Sequence, residues 1–529
     1  MRSGSPDAPA LSGRSAGAAN PSWRWLLPLA LIALLTVAAV LVGNGDLPIA
    51  LAPCAVALAV WAVWSLPLRV PMLGLLIASW VLEVPGDAFA GGMAKTPWHL
   101  YGAILFAKLN LTVPVSALVF SGFDLLVAFL AVVIFYRHAT HSRLDRIGWV
   151  PSPSPIAQAA LLSLAAVAWM AFYGLANGGS FRFTLWQISK HLYAPIIYLL
   201  MVEALRGAAD VRTIGRIILG AGVFRAGEAI LVRRMFPSVS VLPHATTHHD
   251  SVLFAICVAI LLAMMLERPS RQVVKLWILL LPIYLGGMLA NNRRLVWPEV
   301  AITAMFFLFI TPMGKFKRFL FRTMALAALP LIVYAAAGWN SEGGSLFAPV
   351  RTLRSLVDTQ NDSSTRWRDW ENYNLVTTFK RRPLLGSGFG HPFEESVKLP
   401  DVTSVYELEP YIPHNSLLGL WAFGGLIGFA LLWVVYPVGL FFTVRAYRCA
   451  REPTERIAAL GAAAAQICYL IQAYADLGFG TWGPVFSLAT SYALVGKICV
   501  ANGAWPMWRR NEGLSSAVAS ARSSSGLNF

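Results

Sequence analysis

Acidic residues are scarce in this chain. Aspartate and glutamate together number 26 among 529 residues, and all charged residues make up 13%. With 57% of positions hydrophobic, so little charge excludes an ordinary water-soluble domain, in which about a quarter of residues are charged. Cysteine is also sparse: Cys54, Cys257, Cys449, Cys468 and Cys499 are all there is. None falls in an expected outer loop, so no disulfide framework is expected. No pair has CxxC spacing, which argues against a thiolate metal site. Alternation of apolar and polar residues is missing from the apolar runs, which excludes a membrane barrel. What is there is a series of continuous apolar runs of about 17 to 25 residues, the length of helices that cross hydrocarbon.

The pattern predicts an all-α polytopic membrane protein of about 14 transmembrane helices, the first near Trp25–Val42 and the last near Val485–Val500. The net charge of +16 would point to nucleic acid in a soluble chain. Here the lysines and arginines gather in alternate connections, where they set topology, and nucleic acid is not an expected partner. The rule places both termini in the cytoplasm. Residues 1–22, rich in Ser, Ala, Gly and Pro, read as a disordered cytoplasmic tail, and 501–529 as a second one. Between them lie an N-terminal bundle, 23–275, and a region 276–500 that includes a long extracytoplasmic loop, 338–413. The first apolar run has no clear cleavage site and reads as an anchor.

Exceptions to the charge rule single out candidate residues. Arg233–Arg234 and Arg293–Arg294 sit at outer ends of spans. The latter open the tenth span in NNRRLVWPEV, where a helix N-terminus already carries partial positive charge and favours an anion. The alternative for this pair is snorkelling to the headgroups. Arg225 falls inside the seventh span, a depth at which ionisable groups face cavities. Its alternative is an ion pair with Glu228, three residues on along the same face.

The long polar loop NDSSTRWRDWENYNLVTTFKRRPLLGSGFGHPF leads through YIPHNSLLGLWAFGGLIGF into an apolar helix. Ser364, Arg366, Trp367, Arg368 and Trp370 mark the start of an amphipathic helix. The glycines of PLLGSGFG permit a tight turn and close backbone approach, and alone say little about phosphate. His414 stands at the N-terminus of the twelfth span with Asn415 as its cap. The helix dipole there predicts a neutral imidazole near pH 7, able to take a proton from a hydroxyl group. A structural histidine bonded to loop backbone is the alternative. Asp476, a lone outer carboxylate, either orients His414 or a basic group, or ends a helix. Glu83 and Asp87 would serve a metal-dependent transferase, but solvated carboxylates are the expectation. His244, His248, His249 and Asp250 have zinc-binding residue types without zinc spacing, and a solvated loop is expected. No cofactor is expected.

The succession Arg366, Trp370, PLLGSGFG, PHNSLL and GGLIGF resembles the region shared by bacterial O-antigen ligases and O-antigen (Wzy-type) polymerases, over about Leu276 to Ala475. The resemblance implies a GT-C-like membrane glycosyltransferase that inverts the anomeric centre without a metal. Its donor would be an undecaprenyl-diphosphate-linked oligosaccharide, and its acceptor a second glycan or lipid A core. Polysaccharide-assembly proteins are possible partners. On this resemblance His414 is the base or acceptor-positioning group, and Arg293 or Arg294 binds the diphosphate. NNRR departs from the commoner Ser-Arg-Gly pattern. Arg225 and Asp476 are placed by position as a second arginine and a late carboxylate, with Arg366 and Asn415 in support. Polymerisation of O-antigen, capsule or exopolysaccharide is the leading expectation. Ligation to lipid A core, O-glycosylation of protein, and transport of a lipid-linked oligosaccharide by a flippase are the alternatives.

Overall fold

The computed structural model describes residues 23–42, 45, 47–83, 98–107, 109, 120–140, 144–145, 148–238, 242–341, 347, 350, 354, 363–400, 408, 410–476 and 481–506. The tail expected at 1–22, most of that at 501–529, Asp87 and parts of the loop 338–413 lie outside these residues. The described residues form helices and no strands. In chain order they are α1 (Trp23–Val42), α2 (Leu47–Ser65), α3 (Arg69–Val81), α4 (His99–Phe106), α5 (Gly122–Ala139), α6 (Ser154–Ala176), α7 (Phe181–Ala204) and α8 (Val211–Met235). Then come α9 (His248–Glu267), α10 (Arg271–Asn291), α11 (Val296–Ile310), α12 (Lys315–Gly338) and α13 (Ser363–Arg381). The last are α14 (Ser416–Trp433), α15 (Val435–Cys449), α16 (Pro453–Ala475) and α17 (Trp482–Ala501).

The expected apolar stretches are helical, but fewer than fourteen qualify as spans. Eight helices among the described residues are long and apolar enough to cross a membrane, or nine if one pair bent by 99° is a single span. Four shorter apolar helices accompany them. The difference has physical causes. Helix α8 carries Arg212, Arg216, Arg225, Glu228, Arg233 and Arg234 along its length, and α11 has only 15 residues. The all-helical, multi-pass membrane architecture stands, with a smaller number of qualifying spans.

The described residues divide into two units, one within 23–65 and one of the remainder. In the first, α1 and α2 form an apolar antiparallel pair. In the second, α9 packs on α16, α17 on α7 and α16, and α10 on α8. Helix α17 is the buried centre of this unit, its small residues admitting close neighbours. Helix α12 has no buried position in its apolar window and exposes Phe319, Leu326 and Ile332, as a hydrocarbon-facing helix does.

A break in α14 fixes the position of α13. Gly425 has φ 57° and ψ −164°, which interrupts the helical ladder and frees backbone groups that must be paired elsewhere. The PLLGSGFG loop supplies the partners. Leu426 and Ile427 donate to Pro383 O and Leu384 O at 2.8 and 3.1 Å, and Gly388 N donates to Phe423 O at 2.8 Å. A Cβ on Gly386, whose φ is +66°, would lie 2.3 Å from Phe423 O, so only glycine lets the two backbones approach. Phe389 N then donates to Met170 O of α6 at 3.0 Å. The glycine-rich motif is therefore a backbone clasp between α6 and the broken α14, and it sets where α13, eight residues upstream of Phe389, comes to rest.

Candidate functional site

Asn415 caps α14 by accepting from Leu418 N at 3.1 Å, and its amide donates to Asn372 Oδ1 on α13 at 3.0 Å. Such a cap contributes about 1 kcal/mol, and the second bond ties α13 to the α14 entrance. One residue before, His414 meets Glu371 of α13. The carboxylate accepts from His414 N at 3.1 and 3.2 Å, and His414 Nδ1 lies 3.2 Å from Glu371 Oε1. Glu371 is fully buried, while 28% of the His414 side chain is exposed. The imidazole edge opposite the carboxylate is thus the accessible one. Trp367, four residues before Glu371 on the same helix face, lies edge-on to the His414 ring at 6.3 Å.

The charge state expected for His414 is corrected by this partner. Burial alone would lower its pKa, but the hydrogen bond and charge of Glu371 outweigh burial, and the pKa ends above the ordinary imidazole value. The helix dipole invoked from sequence is the weaker influence, because a carboxylate in direct contact acts at shorter range.

Asp476, just past α16, is buried and pairs with His248 Nδ1 at the start of α9. Its Oδ2 is also 3.6 Å from Arg368 of α13. Burial would raise the Asp476 pKa, but His248, Arg368 and His414 hold it below the usual carboxylate range. Arg368, rather than the exposed Arg366, is the α13 arginine turned to this cluster.

The NNRR turn is explained residue by residue. Asn291 is buried and bonds Thr246 N, Thr247 O and Ser251 Oγ at 2.9 to 3.1 Å, locking the end of α10 to the start of α9. Asn292 takes the left-handed conformation with φ 56° that ends α10. Arg293 follows, half-buried and within electrostatic reach of His244, whose pKa is pulled down to about 4 by burial and then by Arg293. Arg294 is exposed.

Arg225 is placed differently. Its side chain is 2% exposed and its Nε lies 2.8 Å from Asp250 Oδ1. Glu228 holds a second face, the alternative open from sequence, and Arg225 Nη2 donates to Glu83 O at 3.1 Å. Asp250 in turn completes a capping box with Thr247, at 3.1 Å to its Oγ1 and 3.2 Å to its backbone N. Arg225 therefore anchors α8 to the α9 entrance, with its guanidinium committed to carboxylates. Glu83 is no solvated carboxylate: it accepts from Trp482 N and Gly483 N at 3.0 to 3.2 Å and holds the N-terminus of α17. Arg233 is likewise engaged, donating to Ala290 O and Leu242 O at 3.0 and 2.8 Å. The His244–Asp250 segment is packed rather than solvated, and among the described residues no group of three could hold a metal.

The structure thus brings His414, Asn415, Asp476 and Arg293 to one end of the larger unit, with Glu371, Arg368 and His248 among them. Glu371 and Arg368 share one face of α13 with Trp367, and that spacing was the readable signal for them. The T-x-x-D pattern at Thr247–Asp250 was the signal for the α9 cap. His248 had none beyond its residue type.

Residues 244–433 match the family model described as O-antigen ligase, so this part of the chain is an O-antigen ligase domain. The match runs from His244 through Arg293, Glu371 and His414 to the end of α14. Arg225 and Asp476 fall outside it. No curated protein matches the chain. The matched family is one of membrane glycan transfer from lipid-linked substrates, in polysaccharide biosynthesis.

Proposed function

We propose that this O-antigen ligase domain polymerises a surface polysaccharide at the periplasmic face. It would transfer an oligosaccharide from undecaprenyl diphosphate to a sugar hydroxyl of a second lipid-linked glycan. The observation that carries the reading is the His414–Glu371 pair, with its free imidazole edge exposed beside Arg368 and within the same cluster as Arg293.

In this reaction Glu371 holds the Nδ1 proton of His414 and leaves Nε2 to receive the acceptor hydroxyl proton. The acceptor oxygen then bonds to the anomeric carbon from the face opposite the diphosphate. The bond from that carbon to the diphosphate oxygen breaks, its electron pair going to phosphate. A single displacement of this kind inverts the centre. Arg293 is the diphosphate ligand and stabilises the charge that gathers there, a type of interaction worth about a hundred- to a thousandfold in rate. Arg368, tied to Asp476, faces the same space.

The description of the matched family as a ligase favours a second reading, in which the acceptor is lipid A core. The glycan profile of a strain lacking this chain separates the two. Single repeats on lipid A support the polymerase. Long chains left on undecaprenyl diphosphate would replace it with the ligase. Repeats stranded on the cytoplasmic leaflet would refute both and indicate a flippase.

A further inference from the structure

The proposed reaction uses one carboxylate-backed imidazole, yet the site contains a second. His248 begins α9 with Nδ1 against Asp476. Asp476 is 3% exposed at its side chain, whereas 32% of His248 and 34% of Arg368 are exposed. A buried carboxylate thus holds two cationic or potentially cationic groups whose outer surfaces remain reachable. The groups that face His248 are Asp476 beyond α16, Arg368 on α13, Arg293 in the α10–α11 turn, His244 in the preceding segment and His249 on α9 itself. Arg293 and Arg368 bring two guanidinium groups within electrostatic reach of His248, at a helix start whose dipole favours an anion.

We infer that His248 is a ligand of the donor's diphosphate, oriented for that task by Asp476. The inference rests on the proposed glycan transfer for the identity of the donor, and on the geometry alone for an anion of diphosphate charge. With Nδ1–H directed at Asp476, Nε2 carries a hydrogen for phosphate only in the imidazolium form. The diphosphate on one side and Asp476 on the other then hold that proton together. His414, by contrast, must be neutral at Nε2 to accept a proton. The two imidazoles divide the work: one binds the leaving group and the other activates the acceptor.

The test uses the full chain in nanodiscs and two readouts. The first is binding of P1,P2-dibutyl diphosphate, a diester whose charges are fixed across the neutral range, followed by calorimetry from acid to alkaline pH. The second is donor KM and kcat with lipid-linked glycan extracted from the deletion strain. His248→Asn keeps a group near Nδ1 for Asp476 but nothing near Nε2. It should weaken diester binding about ten- to a hundredfold and raise donor KM alike, with kcat little changed. His248→Gln places an amide N–H near Nε2. It should restore most of the binding and abolish the wild-type weakening as pH rises. Wild-type affinity in the Asn variant, a loss confined to kcat, or no diester binding by the wild type would overturn the inference. Diester binding lost in the Asn variant while the wild type transfers no glycan would leave the anion site standing and remove the proposed function instead.

Discussion

Glu371 and His414 are 43 residues apart in sequence, yet one carboxylate receives both the backbone N–H of His414 and its ring Nδ1, at 3.1 to 3.2 Å. Backbone and side chain are held by the same two oxygens, so ring orientation and tautomer are fixed by one buried group. That relationship holds the ring of a histidine at a helix mouth in one orientation.

Removing the base should stop the reaction without unfolding the protein. His414→Ala is expected to lower transfer by about a hundred- to ten-thousandfold, with membrane abundance unchanged. The measurement is glycan product per unit of protein in membranes. Full activity in this variant would end the base assignment.

The pH profile of transfer tests Glu371. His414 must be neutral to accept a proton, and Glu371 favours its charged form. The acid limb of kcat/KM should therefore lie above the ordinary imidazole value of about 6.5. Glu371→Gln removes the negative charge and keeps a hydrogen-bond acceptor, so the limb should move to lower pH. A limb that stays in place would show that another group titrates.

The two arginines of NNRR should differ. Arg293 is half-buried and within reach of His244 and His248, whereas Arg294 is exposed. Arg293→Ala should lower donor kcat/KM about a hundredfold or more, while Arg294→Ala changes it little. Equal effects would mean that the turn presents both to the donor.

Arg225 should behave as a structural residue. Its buried guanidinium joins Asp250, Glu228 and Glu83 O, so Arg225→Leu strands two carboxylates. Breaking such a cluster costs about 3 to 5 kcal/mol. Thermal unfolding in detergent should show a large loss of stability. Unchanged stability with a raised donor KM would return Arg225 to the role of diphosphate ligand expected from its position.

The clasp in α14 makes a backbone prediction. Gly425→Ala places a Cβ within 2.5 Å of Gly386 N and of Leu384 C and O, at a φ that costs other residues about 1 to 2 kcal/mol. The variant should lose the α13–α14 register, with activity falling alongside stability. Limited proteolysis between Arg381 and His391 would report the loosened loop. An intact, active variant would show that the break in α14 is not needed for the site.

Much of this protein was legible from one-dimensional patterns. Continuous apolar runs dictated membrane helices, because a backbone in hydrocarbon must satisfy its own hydrogen bonds. The asparagine after His414 announced a helix cap, and the glycines of PLLGSGFG announced close backbone approach. Arg293 and His414 were singled out because their charge or position broke a rule that the rest of the chain obeys. What the sequence left open were the partners. Arg225 had two readings, and which applied depended on Asp250, which lies on another helix. The direction in which the His414 pKa moves was misjudged because a local helix dipole was visible and a carboxylate 43 positions away was not. Arg366 was assigned a supporting place and Arg368 none, because only the direction of α13 turns Arg368 to Asp476. Local sequence determines which backbone groups and periodic faces exist, since those depend on neighbours within a few residues. Only the packing of α9, α13, α14 and α16 decides which charges meet, because electrostatic contact falls off over a few ångströms and takes no account of separation along the chain.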